Sequence, residues 1–222
     1  MTDEPKTGAG GRMLTVAAWT VLVLGLWLWG REITDVPEGA ARAGRPGAMT
    51  AVGLPDSYDP LPGAARPVRV EMPSLGIRAP VIPRGLDRQG AVDPPPYDQP
   101  GTVGWWVDGT RPGAGGPGLL VGHVDTRSKP AVFYGLSSVQ PGDEVRVVRD
   151  DGTVAEFTVE AVEVHERKSF DPHKVYGPRV PGRAELRLVT CGGTYDKAAK
   201  AYTANVVVSA YLTGARNLGG GS

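Results

Sequence analysis

Hydrophobic residues follow two different patterns along this chain. Residues 13–30 form one apolar run of 18 residues without a charged side chain, bracketed by Arg12 and Arg31. An α-helix of that length spans about 27 Å, close to the hydrocarbon thickness of a bilayer. From residue 68 onward the apolar residues come instead in short stretches, several of which alternate with polar residues as half-buried strands do.

The apolar run predicts a retained membrane anchor. A cleaved signal peptide has a shorter apolar region of about 7–15 residues, followed at once by a small-residue cleavage site. The run 13–30 is longer and has no clear site after it, and Trp27 and Trp29 lie near its end, where indole rings favour the membrane interface. We therefore predict a single N-terminal transmembrane helix over 13–30, preceded by a cytoplasmic tail over 1–12.

The later pattern predicts a mostly β domain over residues 68–213. The Asp-Asp-Gly sequence at 150–152 is a hairpin signal, because glycine supplies the positive φ of a tight turn. One short helix is predicted near residues 131–136. Short strands at this spacing suggest a closed barrel. The predicted strands cover residues 68–72, 119–121, 144–148, 153–160, 185–189 and 206–212.

Two flanking segments have no sustained period. Residues 31–67 are rich in Gly, Ala and Pro and predict a flexible tether between the membrane and the barrel, and residues 214–222 predict a flexible tail. The chain carries 24 basic and 24 acidic residues, so no overall field attracts it to nucleic acid.

The chain has one cysteine, Cys191. A domain outside the cytoplasm normally pairs its cysteines in disulfides. An unpaired one is therefore either a buried apolar residue or a thiol kept for chemistry. As a nucleophile it needs a proton acceptor, because the thiolate is the reactive form.

Three histidines are available as that partner. His123 follows a predicted strand and begins a loop, so it is held rigidly and stays accessible. His165 lies in a charged stretch typical of a solvated surface, and His173 lies in a predicted turn. Metal binding and a cofactor are not predicted, because the cysteine and histidines do not have the spacing of zinc ligands.

The motifs Gly-His-Val-Asp-Thr at 122–126 and Leu-Val-Thr-Cys-Gly-Gly at 188–193 resemble those of the sortases, membrane-anchored cysteine transpeptidases of Gram-positive bacteria. The Cys-Gly-Gly continuation and the Asn-Val-Val-Val sequence at 205–208 are similar to the actinobacterial class F and class E branches. The resemblance covers about residues 68–212. It implies an eight-stranded sortase-type β-barrel with one or two short helices.

The resemblance also implies a function. Cys191 would be the nucleophile and His123 the general acid–base, with Thr190 and Val189 shaping the substrate groove. The substrates would be proteins bearing an LPXTG-like sorting signal, the acceptor an amine of a peptidoglycan precursor, and the location the outer face of the cell membrane. A thiol hydrolase with the same Cys–His pair, or a membrane-tethered binding module without turnover, are the alternatives.

One feature departs from the resemblance. Sortases carry an arginine downstream of the cysteine that stabilises the developing oxyanion, whereas this chain has none between Cys191 and Arg216. Lys197 or Lys200 is our expected replacement. An arginine from elsewhere, such as Arg127 or Arg187, or weak activity, would also account for the difference.

The residues that follow His123 have two interpretations. Asp125 could orient the imidazole as the third member of a triad. Asp125 and Thr126 could instead cap a turn through hydrogen bonds to the backbone, the interpretation that we favour.

Overall fold

Eight β-strands form a closed barrel in the computed structural model, which describes residues 53–88 and 90–219. The order around the barrel is β1-β2-β3-β4-β7-β8-β6-β5, and β5 pairs with β1 to close it. The strands are β1 (Pro67–Met72), β2 (Ile77–Arg84), β3 (Val103–Trp106), β4 (Gly116–Val121), β5 (Glu144–Arg149), β6 (Thr153–Glu166), β7 (Ala184–Asp196) and β8 (Ala201–Asn217). The predicted mostly β, eight-stranded fold is confirmed.

The barrel encloses the main hydrophobic core. In β7, Leu186 and Leu188 point inward and are fully buried, whereas the alternate residues Arg187 and Val189 point to the other face. The same alternation brings Leu120, Phe157 and Val208 into the interior. Removing each of these large side chains from water contributes about 1.5–3 kcal/mol before entropy is counted. The alternating pattern of the sequence is therefore the direct cause of the closed sheet.

The hairpin between β5 and β6 forms where the sequence predicts it. Gly152 has a φ of 82°, and its N–H donates to the carbonyl of Arg149 at 3.1 Å. The Asp151 carboxylate accepts a hydrogen bond from the Thr153 N–H at 3.0 Å, which adds a side-chain hydrogen bond to the turn. A non-glycine residue at 152 would be strained in this conformation.

Strands β6 and β8 are longer than predicted. They pair antiparallel from Thr153↔Asn217 to Glu166↔Ala204, with two register shifts. Residues 214–217 therefore belong to the barrel, and the prediction of a flexible tail beginning at 214 is wrong. These strand ends alternate poorly, and their pairing with each other holds them in place.

The helix prediction is also corrected. Residues 131–135 form turns that lead into a 3₁₀ turn at Leu136–Ser138, and both Phe133 and Leu136 insert into the core. An α-helix, α1, forms at Pro172–Tyr176 instead. The Asp171 carboxylate accepts the N–H groups of His173 and Lys174, so the predicted turn is a capped helix start.

Part of the predicted tether packs against the barrel. The Tyr58 N–H donates to the Leu212 carbonyl at 2.8 Å, and the Leu61 N–H donates to Gly113 at 2.8 Å. The Tyr211 hydroxyl donates to the Pro55 carbonyl at 2.6 Å. Residues 54–66 are therefore an ordered strap, contrary to the prediction of a flexible segment.

The predicted anchor over 13–30, the tail over 1–12 and the tether over 31–52 lie outside the described residues. Among residues 53–88 and 90–219, no helix combines the length and the apolar character needed to cross a bilayer.

Candidate active site

Strand pairing brings the two chemical motifs together. β4 and β7 run parallel, with Leu120 opposite Leu188 and Val121 opposite Val189, and the Gly122 N–H donates to the Val189 carbonyl at 3.1 Å. His123 follows Val121 by two residues, and Cys191 follows Val189 by two. His123, just past the end of β4, therefore lies level with Cys191 within β7, and both residues line one groove of about 1210 Å³.

Cys191 is a free, half-buried thiol on β7, opposite Asn205 of β8. Burial raises the pKa of the thiol because the low-dielectric surroundings disfavour the thiolate. The guanidinium of Arg167 lowers this pKa, and the carboxylate of Asp125 raises it. The net shift is upward, so at neutral pH the resting residue is mainly a thiol that needs a base to become reactive.

His123 is buried, at 7% exposure, and is held by the loop between β2 and β3. Its Nε2 lies 2.6 Å from the Pro95 carbonyl oxygen, and the ring of Tyr97 stacks on the imidazole with 4.3 Å between centroids. Gly122 makes the close packing behind the histidine feasible. A Cβ there would lie 2.6 Å from the ring of Phe133.

Asp125 bonds across the groove rather than turning back to the histidine. Its carboxylate accepts a hydrogen bond from the hydroxyl of Tyr202 on β8. This bond raises the pKa of Tyr202 to about 12, because the neighbouring anion disfavours ionisation of the phenol. The loop after β4 is thereby tied to β8 on the opposite side of Cys191.

Thr126 has the turn role predicted for it. Its Oγ1 accepts the Lys129 N–H at 3.3 Å, and its N–H donates to the Lys129 carbonyl at 2.8 Å. These bonds close the loop that carries Asp125 over the groove.

The groove is lined by both polar and apolar surface and carries more basic than acidic groups. Its acidic residues are Asp98 and Asp125, and its basic residues are Arg127, Lys129, Arg167 and Lys200. The rings of Tyr195 and Tyr202 meet edge to face at 5.3 Å on the β7–β8 side. A peptide backbone, with its carbonyl dipoles, suits such a surface.

The cations proposed from the sequence occupy different places. Lys200 lines the groove, whereas Lys197 is exposed and is not among the lining residues. Arg127 lines the groove as well. Arg187 is buried elsewhere, where its guanidinium donates to the Gly177 carbonyl at 2.8 Å and to Glu185 at 2.6 Å. It is therefore not available to a substrate at Cys191.

Sequence reasoning missed Arg167. This residue begins the 3₁₀ turn at Arg167–Ser169, directly after β6, and lines the groove beside Cys191. In the described part of the chain its guanidinium forms no ion pair or hydrogen bond, so its donors are available. Strand register brings Arg167 to this place. His165 and Cys191 both lie opposite Asn205, one on each side of β8, and Arg167 follows His165 by two residues.

Val189 and Thr190 lie beneath the groove rather than on its walls. Val189 packs with Val121 and Val207 in a second hydrophobic cluster on the outer face of the sheet. Thr190 is 4% exposed, and its Oγ1 is buried without a hydrogen-bond partner among the described residues. Thr190 directly precedes Cys191 in β7 and Val189 lies two residues before it, and neither is among the residues that line the groove.

The other two histidines lie outside this groove. His165 is half-buried at the end of β6, with its ring edge to face against Phe170, so it is not the solvated residue that its charged neighbours predict. His173 is exposed on α1. In residues 53–88 and 90–219, no group of three or more His, Cys, Asp or Glu side chains is arranged to hold a metal ion.

Comparisons with solved structures agree on the architecture. The chain is similar to sortase A from Listeria monocytogenes, with 18% identity and a TM-score of 0.51 over 69% of this chain and 92% of that one. It is similar to the SrtA sortase from Actinomyces oris, with 18% identity and a TM-score of 0.55 over 78% and 92%. It is also similar to sortase C-1 from Actinomyces oris, with 19% identity and a TM-score of 0.51 over 66% of this chain and 73% of that one. These likenesses show the fold.

The family follows from the sequence. A search of curated proteins found no match. The model of the sortase domain, however, matches residues 70–213, which run from the middle of β1 through most of β8 and include both motifs. This match covers well over half of the chain, and the chain belongs to the sortase family.

Proposed function

We propose that this sortase transpeptidase uses Cys191 as its nucleophile and His123 as its general acid–base. The observation that carries the proposal is the parallel pairing of β4 and β7, which brings His123, two residues past the end of β4, beside Cys191 of β7, with both side chains in one groove. Cys191 is fixed within β7, and His123 is fixed directly after β4 by its contacts with Pro95 and Tyr97, so the nucleophile and the base are both held in place.

The reaction would proceed through a thioester. His123 accepts the Cys191 proton, and the thiolate adds to the carbonyl carbon of the Thr–Gly bond in an LPXTG-like signal. His123 then donates that proton to the leaving amine as the C–N bond breaks. In the second half, an acceptor amine attacks the thioester, loses a proton to His123 and releases the thiol.

Arg167 and Lys200 are the candidates to stabilise the oxyanion that forms on the attacked carbonyl. Arg167 has free donors, lies in the groove and already acts on the charge of the thiol. Its planar guanidinium offers paired donors to an oxygen, whereas the lysine is a single point charge. One such donor contributes about 2.7–4 kcal/mol to transition-state stabilisation. Arg167 is therefore our first choice.

Val189 and Thr190 act indirectly in this proposal. They hold the β7 backbone in register, and this register sets the position of Cys191 relative to His123.

The proposed substrates are proteins with an LPXTG-like C-terminal signal, and the proposed acceptor is an amine of a peptidoglycan precursor. The apolar run 13–30 would anchor the enzyme in the membrane, with the barrel on the outer face, where both substrates meet. The support here is the family and the sequence pattern.

The test uses the full chain in detergent with a panel of LPXTG-like peptides. We expect a covalent adduct on Cys191, with a mass that corresponds to the acyl half of the peptide. Added amine should convert hydrolysis into ligation. If the adduct and hydrolysis are observed but added amine gives no ligation product, the enzyme is a thiol hydrolase. Peptide binding without any adduct would indicate a binding module and overturn the proposal.

A further inference from the structure

The loop between β2 and β3 crosses from the barrel wall to the catalytic histidine and is braced for that position. It contains three consecutive prolines, Pro94–Pro96, whose rings fix φ and stiffen the chain. Before them, Arg84 forms an ion pair with Asp93 and donates from Nε to the Asp93 carbonyl at 3.1 Å. After them, the Gln99 N–H donates to the Pro96 carbonyl at 2.9 Å.

This braced loop makes two contacts with His123. The Pro95 carbonyl oxygen lies 2.6 Å from Nε2, and the Tyr97 ring stacks on the imidazole with planes inclined by 20°. Tyr97 is 70% exposed, so burial of the tyrosine does not explain its position. The ring instead covers one face of a histidine that is itself almost fully buried.

The first contact decides where the proton lies. A backbone carbonyl accepts a hydrogen bond and cannot donate one, so the Nε2 that faces it must carry a hydrogen. In a neutral imidazole one nitrogen is the donor and the other the acceptor. The free lone pair is therefore on Nδ1.

We propose that residues 94–97 are the positioning element of the catalytic histidine, holding His123 as its Nε2–H tautomer so that Nδ1 exchanges protons with substrate and thiol. The Pro95 carbonyl does the work that a carboxylate does in a triad, and Asp125 is left to bind Tyr202. Tyr97 prevents rotation of the ring out of that hydrogen bond.

One atom of His123, Nδ1, then both accepts and donates the transferred proton. Nδ1 takes the Cys191 proton as the thiolate forms, which makes an imidazolium with both nitrogens protonated. Nδ1 returns this proton to the leaving amine as the scissile C–N bond breaks. Nε2 keeps its hydrogen, bonded to Pro95, through both halves of the reaction.

The inference rests on the proposed function for its kinetic consequence, but its tautomer can be measured without turnover. The first experiment is a long-range ¹H–¹⁵N correlation spectrum of the ¹⁵N-labelled full chain in detergent, with the His123 signals assigned by the loss of signals in His123→Gln. We expect the pattern of the Nε2–H tautomer in the neutral ring. An Nδ1–H pattern would overturn the proposal whether or not Cys191 is the nucleophile.

The second experiment removes the stacking ring. Tyr97→Ala should give a mixture of tautomers and lower kcat by about 10- to 100-fold, a part of what acid–base catalysis contributes. Tyr97→Phe keeps the ring and should return kcat to within about two-fold, because the stacking geometry is preserved. Tyr134→Ala is the matched control, since Tyr134 is 60% exposed but does not line the groove.

The outcomes separate a positioning role from other roles. A fall in kcat for Tyr97→Ala with the tautomer unchanged would overturn the proposal, because the ring would then act by substrate contact. So would a variant with both quantities unchanged. If wild-type protein shows the Nε2–H tautomer while Cys191→Ala retains turnover, the proposed function fails and the positioning of His123 stands.

Discussion

The two halves of β7 treat buried polar groups in opposite ways. Near its start, Glu185 and Arg187 are 0% and 1% exposed, yet their charged groups are paired with each other and with neighbouring donors and acceptors. Near its midpoint, Thr190 has a buried hydroxyl with no hydrogen-bond partner among the described residues, and Cys191 carries a thiol with a raised pKa. One strand therefore has a half that is electrostatically satisfied and a half that is not.

The satisfied half fixes the strand. The Glu185 carboxylate accepts the N–H groups of Arg179 and Val180 at 3.0 and 2.9 Å, which ties down the loop that leads into β7. Arg183 adds bonds to Glu185 at 2.9 Å and to Glu160 at 2.8 Å. Breaking a buried pair leaves an uncompensated charge, which is costly. The network thus gives the cysteine end a rigid base.

The unsatisfied half is where chemistry is possible. The pKa of this half-buried thiol is lowered by Arg167 and raised by Asp125, so two neighbouring charges act on it in opposite directions. Within β7, the paired charges near the start support the strand, and the residues around Cys191 form the candidate site. The following substitutions test this contrast.

The largest effect is expected from removing the thiol. Cys191→Ala should abolish peptide cleavage, because no other described residue in the groove offers a comparable nucleophile. Its free energy of unfolding should change by less than about 1 kcal/mol, since no hydrogen bond is lost. Turnover is measured by peptide chromatography and stability by urea unfolding. Residual turnover above background would remove Cys191 from the mechanism.

Loss of the buried carboxylate should affect stability rather than chemistry. Glu185→Gln leaves Arg187 buried without its counter-charge, and we expect a loss of about 3–5 kcal/mol in urea unfolding. The pKa of Glu185 is lowered: burial raises it, but the bonds from Arg179, Arg187 and Val180 outweigh that effect. Its contribution is therefore present above the unfolded-state pKa and is lost as the pH falls through the folded-state value.

A partly exposed pair provides the control for this change. Glu144→Gln breaks the pair with Arg146, whose side chains are 38% and 32% exposed, and should cost only about 0–1 kcal/mol. Equal losses in the two variants would contradict the special role of the buried network.

The third effect concerns the oxyanion. Arg167→Gln should lower kcat/KM by about 10²–10³, the value of one oxyanion donor, with Arg167→Lys retaining part of the rate. Lys200→Gln and Lys197→Gln are the comparisons, the first inside the groove and the second outside it. A larger loss in Lys200→Gln than in Arg167→Gln would transfer the role to the lysine.

A smaller effect is expected on the ionisation of the thiol. Asp125→Asn removes an anion that disfavours the thiolate, so the Cys191 pKa should fall and alkylation by iodoacetamide at neutral pH should become faster. Arg167→Gln should have the opposite effect. The pH dependence of the alkylation rate gives both midpoints. Shifts of the same sign in the two variants would contradict the arrangement.

The smallest effect is expected beside the cysteine. Thr190→Val replaces a buried hydroxyl that has no hydrogen-bond partner among the described residues by a methyl group of similar shape, and should raise the free energy of unfolding by about 1 kcal/mol. Urea unfolding of the variant measures the change. A marked destabilisation would mean that the hydroxyl is satisfied in solution.

Several parts of the fold were readable from local pattern. The centres of β1, β5 and β7 alternate clearly, and the turn at 150–152 has its own chemistry. The helix at Pro172–Tyr176 was also marked, because Asp before Pro is a helix-start signal, but a five-residue helix has too little periodicity to stand out. The residues 131–136 were misleading, since their apolar side chains serve the core from turns.

What the sequence by itself indicated is the candidate pair Cys191 and His123, because their motifs are short, local and chemically distinct. The tertiary structure alone decided which other groups meet them. Arg167 reaches the groove from the turn after β6 through the register of β6 on β8, whereas Tyr97 and the Pro95 carbonyl reach His123 from the braced β2–β3 loop. Such long-range register depends on the pairing of whole strands, which no local pattern encodes.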